Sequence, residues 1–298
     1  MKNNGRVLGL VSVIGNDQKG VVARVSTYLA ENSANIEDIE QKVVQGLFLM
    51  NMLVDLSDLS VSLDELIMGL VALGQQMNME IKVRLLSQRK ERTFAVMVSR
   101  EPHCLERLIA GAESGQLPGR ISAVLSNHDV LRPIAEKAGL SFHHFKNPDR
   151  PARDREILEF LDELRPDLVV LARYMQILPP EFVERWPSRI INIHPSLLPY
   201  HPGANAYRQA FEKGSRVAGC TAHFVTEELD EGPIILQDVF HIAVGEDTLE
   251  DIKQKGRELE SDTLARAVKL YLNDELLVKD DKVVFKPGLD FFKKLHEL

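Results

Sequence analysis

The chain has 298 residues, of which 44% are hydrophobic and 27% charged, and its formal net charge is -8 at pH 7. These values are typical of a globular protein of about two domains, and the acidic balance without a long Lys/Arg cluster disfavours nucleic acid as a partner. No run of about 18 apolar residues occurs and the polar start lacks the apolar core of a secretion signal, so we expect a cytoplasmic protein with no membrane partner.

The first part of the chain has the hydrophobic pattern of a small mixed module. An apolar run, RVLGLVSVIG, predicts a strand, and Val22, Val25 and Leu29 recur after it at helical spacing. Two strand-like runs, a helical segment and the strand-like run MEIKVRLLS follow. The order βαββαβ predicts a compact two-layer domain over 1–86, and the charged stretch over 87–92 is the predicted linker.

From residue 93 onward, strand-like and helical patterns alternate. The runs TFAVMVS, RISAVLS and DLVVLARY are short and continuously apolar, which is typical of strands buried on both faces of a parallel sheet. Helical patterns such as REILEFLDELR lie between them, so we predict an open, mostly parallel, doubly wound α/β sheet over 93–285. A long helix from about Leu249 to Leu272 comes near the end, and a charged amphipathic tail follows over 286–298.

Several common functional motifs are missing or incomplete. GNDQKGVV has the glycine spacing of a phosphate loop but lacks its Lys-Ser/Thr, and the loop SREPHC has no glycine for a dinucleotide. Neither G-x-S-x-G nor H-E-x-x-H occurs. His143 and His144 alternate across a strand, which favours structural roles over a shared metal. Cys104 and Cys220 are too few for a disulfide framework, so we expect small buried side chains.

Two polar side chains end the apolar strand RIINIH. Asn192 and His194 are two residues apart and therefore project from the same face, and Pro195 ends the strand behind them. Taken alone, Asn192 and His194 are explained equally well by structural roles, a capped turn and a buried histidine, and by a functional site. Asp230 precedes a Glu-Gly-Pro turn, where turn formation is the commoner reason for an aspartate. Together, an amide, an imidazole and a carboxylate supply the oxyanion donor, the proton donor and the base that acyl transfer requires.

The segments around these residues resemble those of a known family. NIHPSLLP, the following PGA and HFVTEELDEGPIILQ resemble the motifs of folate-dependent formyltransferases, which include glycinamide ribonucleotide transformylases, methionyl-tRNA formyltransferases and 10-formyltetrahydrofolate deformylases. GNDQKGVVARVSTYLAENSANIEDIEQ resembles an ACT domain, a βαββαβ module that often binds amino acids. An ACT domain ahead of a formyltransferase domain resembles the deformylase arrangement, and the resemblance extends from roughly Leu8 to Phe285.

The resemblance implies a reaction and the residues that perform it. The reaction is hydrolysis of 10-formyltetrahydrofolate to tetrahydrofolate and formate, with this folate as substrate, no separate cofactor and no metal. Formate released in this way supplies one-carbon and purine metabolism. The implied catalytic residues are Asn192, His194 and Asp230, and the implied pterin-holding residues are Gln176, Ile177 and Leu178.

The resemblance also implies a small-molecule effector and self-association. An amino acid such as glycine is expected to bind the ACT module near Asp17 and Gly20, where backbone N–H groups at the start of a helix suit a carboxylate. ACT domains commonly pair, because a four-stranded sheet with helices on one face leaves a face or edges to cover. A homodimer or homotetramer is therefore expected.

Two alternatives stay open at this stage. His194 is followed by Pro195, as in glycinamide ribonucleotide transformylases, whereas deformylases of the family usually have a second histidine there; formyl transfer to an amine is the first alternative. A non-catalytic amino-acid sensor is the second, and the intact polar trio argues against it. The loop SREPHCLERL favours water as acceptor, because Pro102 lacks an N–H and Glu101 is negative where a phosphate would need donors.

Overall fold

The computed structural model describes residues 6–86, 91–199 and 206–287. These residues form two compact units, one that takes in the chain up to residue 90 and returns at residue 284, and one that spans 91–283. The predicted linker and tail stay predictions, because residues 87–90 and 288–298 lie outside the described residues. Within the described part of the chain, no helix combines the length and apolarity needed to cross a membrane.

The first unit has the predicted βαββαβ order. The elements are β1 (Leu8–Asn16), α1 (Val21–Glu31), β2 (Asn35–Val44), β3 (Leu47–Asp55), α2 (Leu63–Gln76) and β4 (Met79–Leu85). The strands form an antiparallel sheet in the order β2-β3-β1-β4. Ser62 caps helix α2, because its hydroxyl accepts a hydrogen bond from the Glu65 N–H while the Glu65 carboxylate accepts one from the Ser62 N–H.

Helix α1 buries a slightly different row from the one expected. Val21, Val25 and Leu29 are buried, whereas Val22 packs only partly against the core. Residues four apart lie nearly on one helix face, and the buried row keeps that spacing throughout. The apolar spacing therefore predicted the helix correctly. Packing against the sheet determined that Val21, and not Val22, is the buried residue of its first turn.

The elements of the second unit are β5 (Arg92–Val98), α3 (His103–Glu113), β6 (Gly119–Ser126), α4 (Arg132–Lys137), β7 (Phe142–His144), α5 (Arg150–Leu164), β8 (Leu168–Ala172), α6 (Pro180–Arg185), β9 (Ile190–His194), α7 (Ala206–Glu212), β10 (Val217–Phe224), β11 (Ile234–His241), α8 (Leu249–Leu272) and β12 (Leu276–Lys279). Strand β13 (Lys282–Phe285) follows and includes the boundary at residue 284. The second unit contains one seven-stranded sheet in the order β11-β10-β9-β8-β5-β6-β7. The neighbouring pairs from β9 to β7 are parallel, and β10 and β11 are antiparallel to their neighbours.

Helices cover both faces of this sheet, as predicted for a doubly wound fold. Phe94, Val96 and Val98 of β5 belong to the core cluster that includes the buried side of α8. Ala95 and Met97 belong to the cluster on the other face, with the buried side of α5. The alternation arises because successive strand side chains point to opposite faces. The chain proceeds from β5 to β6 and β7 on one side and to β8 and β9 on the other, so a crevice forms where strand order reverses.

The paired histidines and the two cysteines have the packing roles expected of them. The ring of His143 lies 4.3 Å from the ring of Phe160, and His144 Nδ1 lies 3.3 Å from a carboxylate oxygen of Asp129. Cys104 and Cys220 are buried free thiols. These residues therefore stabilise the second unit through packing and local polar contacts.

Candidate active site

Strand β9 presents the predicted amide and imidazole at the carboxyl end of the parallel part of the sheet. Its antiparallel pairing with β10 sets Asn192 opposite His223 and His194 opposite Thr221. Asn192 Nδ2 lies 3.2 Å from His223 Nε2. His223 was not among the predicted site residues, although it lies in the HFVTEELDEGPIILQ segment. The sequence analysis did not identify His223 because its place opposite Asn192 depends on the β9–β10 register, which no local sequence pattern predicts.

The predicted carboxylate reaches this pair from the turn between β10 and β11. Asp230 has a positive φ of 60°, a conformation that aspartate adopts more readily than most side chains. Its Oδ2 lies 3.1 Å from His194 Nδ1, and its Oδ1 lies 3.7 Å from His223 Nε2. Asn192, His194, His223 and Asp230 thus form one group, which we call the polar cluster.

A glycine is required in the turn that carries Asp230. Gly232 passes so close to the backbone carbonyl of Phe224 that an added Cβ would collide with it. The Phe224 N–H donates to the Pro233 carbonyl at 2.9 Å, so the two strands converge immediately behind the turn. The Asp-Glu-Gly-Pro sequence therefore forms a turn, as its residue types predict. The same turn places the Asp230 carboxylate beside His194.

The proton arrangement of His223 follows from its contacts. His223 is buried, and its Nδ1 lies 2.9 Å from the Phe224 carbonyl, which can only accept, so Nδ1 donates. Burial lowers the pKa of His223, an effect partly offset by that hydrogen bond and by the charge of Asp230. The ring is therefore neutral at neutral pH and Nε2 accepts. Asn192 Nδ2 donates to it, which fixes the amide orientation and leaves the second N–H of Asn192 for a ligand.

Asp230 and His194 form a charge-assisted pair. Burial raises the pKa of Asp230, but the hydrogen bond from His194 and the electrostatic interaction with that imidazole outweigh this effect, and the net pKa lies below the ordinary aspartate value. Asp230 is therefore ionised at neutral pH, and His194 Nδ1 donates to it. His194 Nε2 is buried and has no hydrogen-bond partner among the described residues. The pair thus combines an ionised base with an imidazole nitrogen available to a ligand.

The polar cluster lines a cleft of about 680 Å³. The predicted pterin-holding residues Gln176, Ile177 and Leu178, which follow β8, line the same cleft. Part of this segment already has partners: the Ile177 carbonyl accepts from Arg150, and the Gln176 side-chain oxygen accepts from Arg153 at 3.2 Å. The structure thus brings all six predicted residues together, and their individual roles stay predictions.

The residues expected to bind an effector, Asp17 and Gly20, belong to the first unit. Gly20 is the N-cap of helix α1 and has a φ of 85°, a conformation that glycine adopts without steric cost. The Asp17 N–H donates to the Gly46 carbonyl at 2.8 Å. Asp17 and Gly20 therefore lie at the two ends of the short loop between β1 and α1, and effector binding there stays a prediction.

One grouping of potential metal ligands occurs among the described residues, namely His103, Cys104 and Glu260. Burial raises the pKa of Cys104 well above its ordinary value, so the thiol stays protonated. The guanidinium of Arg173 lies 3.5 Å from Glu260 and already neutralises it. A protonated thiol and an adjacent cation both oppose metal binding, so the grouping is better explained as a network around a buried carboxylate.

Comparisons with known proteins agree with this architecture. Residues 92–268 match the family model described as formyl transferase, and residues 8–84 match that of the ACT domain. The chain is 39% identical over 273 residues to a formyltetrahydrofolate deformylase of Bacillus subtilis, which covers 90% of each chain. A crystal structure of a formyltetrahydrofolate deformylase from Pseudomonas syringae pv. tomato matches with a TM-score of 0.85 at 34% identity, over 96% of each chain.

A transformylase structure matches a smaller part of the chain. Glycinamide ribonucleotide transformylase 1 from Symbiobacterium toebii has a TM-score of 0.64 at 36% identity. The match covers 96% of that chain but 67% of this one. The likeness to deformylases therefore extends over nearly the whole chain, whereas the likeness to this transformylase extends over about two thirds of it.

Proposed function

The chain belongs to the formyltetrahydrofolate deformylase family, and from that membership we propose that it hydrolyses 10-formyltetrahydrofolate to tetrahydrofolate and formate. The enzyme is a hydrolase that acts on a linear amide C–N bond, and its formate supplies one-carbon and purine metabolism. The polar cluster carries the proposal, because an ionised carboxylate, an imidazole and an oriented amide line one cleft. Neither a nucleophilic side chain nor a cofactor is needed for this reaction.

In the proposed reaction the folate lies along the segment that follows β8. Backbone groups of Gln176, Ile177 and Leu178 contact the pterin, and the cleft then places the formyl group beside the polar cluster. The bonds from Arg150 and Arg153 to this segment hold its conformation before the substrate arrives. Preorganisation of this kind lowers the cost of positioning the reacting groups.

The chemical steps follow from the proton arrangement. Asp230 accepts a proton from water as the water oxygen bonds to the formyl carbon, and the carbonyl oxygen becomes negative. Asn192 donates its free N–H to that oxygen, and His194 stabilises it. Protonated His194 then donates a proton to N10 as the bond between the formyl carbon and N10 breaks. Tetrahydrofolate and formic acid leave, and the proton that Asp230 took from water passes to His194, which restores both groups. Formic acid releases one proton to solvent as it becomes formate.

We expect Asn192→Ala to lower kcat by about 10²–10³-fold, the usual effect of removing one oxyanion donor. The substitution also frees His223 Nε2, but it removes no charge, so the fold should persist. Steady-state formate release measures the effect. Asn147→Ala is the control, because Asn147 bonds Glu156 on the surface, and its activity should stay at the level of the unmodified enzyme. A kcat for Asn192→Ala within about threefold of that control would exclude an oxyanion role.

We expect water and not an amine to be the formyl acceptor. The loop after β5 carries Glu101, which lines the cleft, and Pro102, which lacks an N–H, so it is poorly suited to hold a substrate phosphate. One assay containing 10-formyltetrahydrofolate and glycinamide ribonucleotide distinguishes the acceptors, and formate should be the main product. Recovery of the formyl group mainly on the ribonucleotide would establish the transformylase alternative, and no turnover at all would favour the sensor.

Further parts of the proposal concern regulation, assembly and location. An amino acid such as glycine is proposed to bind near Asp17 and Gly20 in the ACT domain, whose family model matches residues 8–84. Assembly as a homodimer or homotetramer, a cytoplasmic location and the absence of nucleic-acid and membrane partners stay predictions. The proposed reaction requires no metal and no cofactor besides the folate substrate itself.

A further inference from the structure

Glu260 of helix α8 is a buried carboxylate that the proposed chemistry does not use. It is 1% exposed and lies against the cleft. Burial raises its pKa, but the hydrogen bond from His103, the charge of Arg173 and the hydrogen bond from Tyr207 outweigh this effect, and the net pKa is below the ordinary glutamate value. An ionised carboxylate is therefore retained in the interior beside the site, where it is stable only because its partners surround it.

The partners of Glu260 come from three different segments. Its Oε2 lies 3.1 Å from His103 Nε2 and 3.5 Å from Arg173 Nε, and its Oε1 accepts from the Tyr207 hydroxyl at 2.7 Å. His103 begins α3 after β5, Arg173 follows β8, and Tyr207 lies in α7 after β9. Strands β5, β8 and β9 are neighbours in the sheet. One carboxylate thus joins the segments that follow three adjacent parallel strands.

Arg173 connects Glu260 to the segment that lines the cleft. Arg173 has a positive φ of 61°, a conformation that persists in a non-glycine residue only where surrounding contacts enforce it. The next residues, 174–178, all line the cleft. Farther along, the Met175 N–H donates to the Ser99 hydroxyl at 3.0 Å. The start of the segment is therefore held by the ion pair with Glu260 and its middle by Ser99.

We infer that Glu260 is a positioning residue that acts through Arg173, holding the segment 173–178 in the conformation that receives the folate. The inference rests on the proposed function for the identity of the ligand. Glu260 itself contacts neither the formyl group nor the attacking water. Its two oxygens are already engaged by His103, Arg173 and Tyr207, so it is not available as a second base.

The test is Glu260→Gln, which keeps the side-chain shape and the acceptor for Tyr207 but removes the charge beside Arg173. We expect KM for 10-formyltetrahydrofolate to rise by about tenfold or more while kcat changes by less than about threefold, because misplaced binding groups weaken positioning. Amide hydrogen exchange over 174–178 should become faster in the free enzyme. The matched control is Asp238→Asn, which likewise keeps an acceptor but removes the charge beside Thr263 and Arg266 of α8, outside the cleft. It should change neither KM nor exchange at 174–178.

A second variant keeps the inference testable if Glu260→Gln does not fold. Arg173→Gln leaves Glu260 bonded to His103 and Tyr207 but breaks the connection to the cleft segment, so it should show the same rise in KM and the same faster exchange. A lower melting temperature with unchanged KM and exchange in either folded variant would show a purely structural role and overturn the inference. Failure of the unmodified enzyme to release formate would instead overturn the proposed function, while the exchange measurement still tests the Glu260–Arg173 connection.

Discussion

Asp230→Asn should lower kcat by about 10²–10⁴-fold, the contribution typical of a positioned general base. The substitution replaces one carboxylate oxygen by an amide nitrogen, which cannot accept a proton from water. Asparagine tolerates the positive φ at position 230 as well as aspartate does, so the turn should be preserved. Formate release under saturating folate measures the loss, and circular dichroism and the melting temperature check the fold.

The pH dependence of Asp230→Asn provides an independent readout. Because the pKa of Asp230 lies below the ordinary aspartate value, the carboxylate is present above that lowered pKa and is lost as pH falls through it. The unmodified enzyme should therefore lose activity as pH falls through that lowered pKa, and this acid limb should be absent from the residual rate of the variant.

The control for Asp230 is Asp247→Asn. Asp247 also has a pKa below its ordinary value, owing to the hydrogen bonds from Lys255 and from the Ala243 N–H, but it does not line the cleft. Its substitution should leave both kcat and the acid limb unchanged. If Asp230→Asn keeps more than about a tenth of the activity of this control, Asp230 is not the base.

His194→Ala should lower kcat by about 10²–10⁴-fold, because it removes the proton donor to N10 together with a group that stabilises the oxyanion. The substitution also removes the hydrogen bond to Asp230 and so weakens the cause of its lowered pKa. The acid limb of the residual rate should therefore shift to higher pH. Steady-state assays across the pH range measure both effects.

Rescue by added imidazole separates the chemical role of His194 from a structural one. The substitution leaves a space the size of the ring beside the cleft, and free imidazole in that space should restore part of the rate without changing the melting temperature. His143→Ala is the control, since His143 packs on Phe160 outside the cleft; it should lose stability but not kcat. Full activity in His194→Ala, or a loss that follows the melting temperature alone, would contradict the proposed role.

Local patterns in the sequence were sufficient for the fold class and for part of the site. Helix α8 runs from Leu249 to Leu272 as predicted, because a long amphipathic repeat bounded by a capping threonine is a property of the segment itself. Asn192 and His194 share a strand face because alternation with period two is equally local. The βαββαβ order and the alternating α/β order follow for the same reason.

The tertiary structure alone decided which distant groups meet. His223 contacts Asn192 only because of the β9–β10 register, and a shift of one residue would turn it to the other face. Asp230 reaches His194 through a turn with positive φ. Glu260 lies in the charged helical run RELESD, and only the packing of α8 beside α3, α7 and the end of β8 makes it a buried anion. Strand order and register depend on contacts far apart in sequence, which hydrophobic periodicity does not encode.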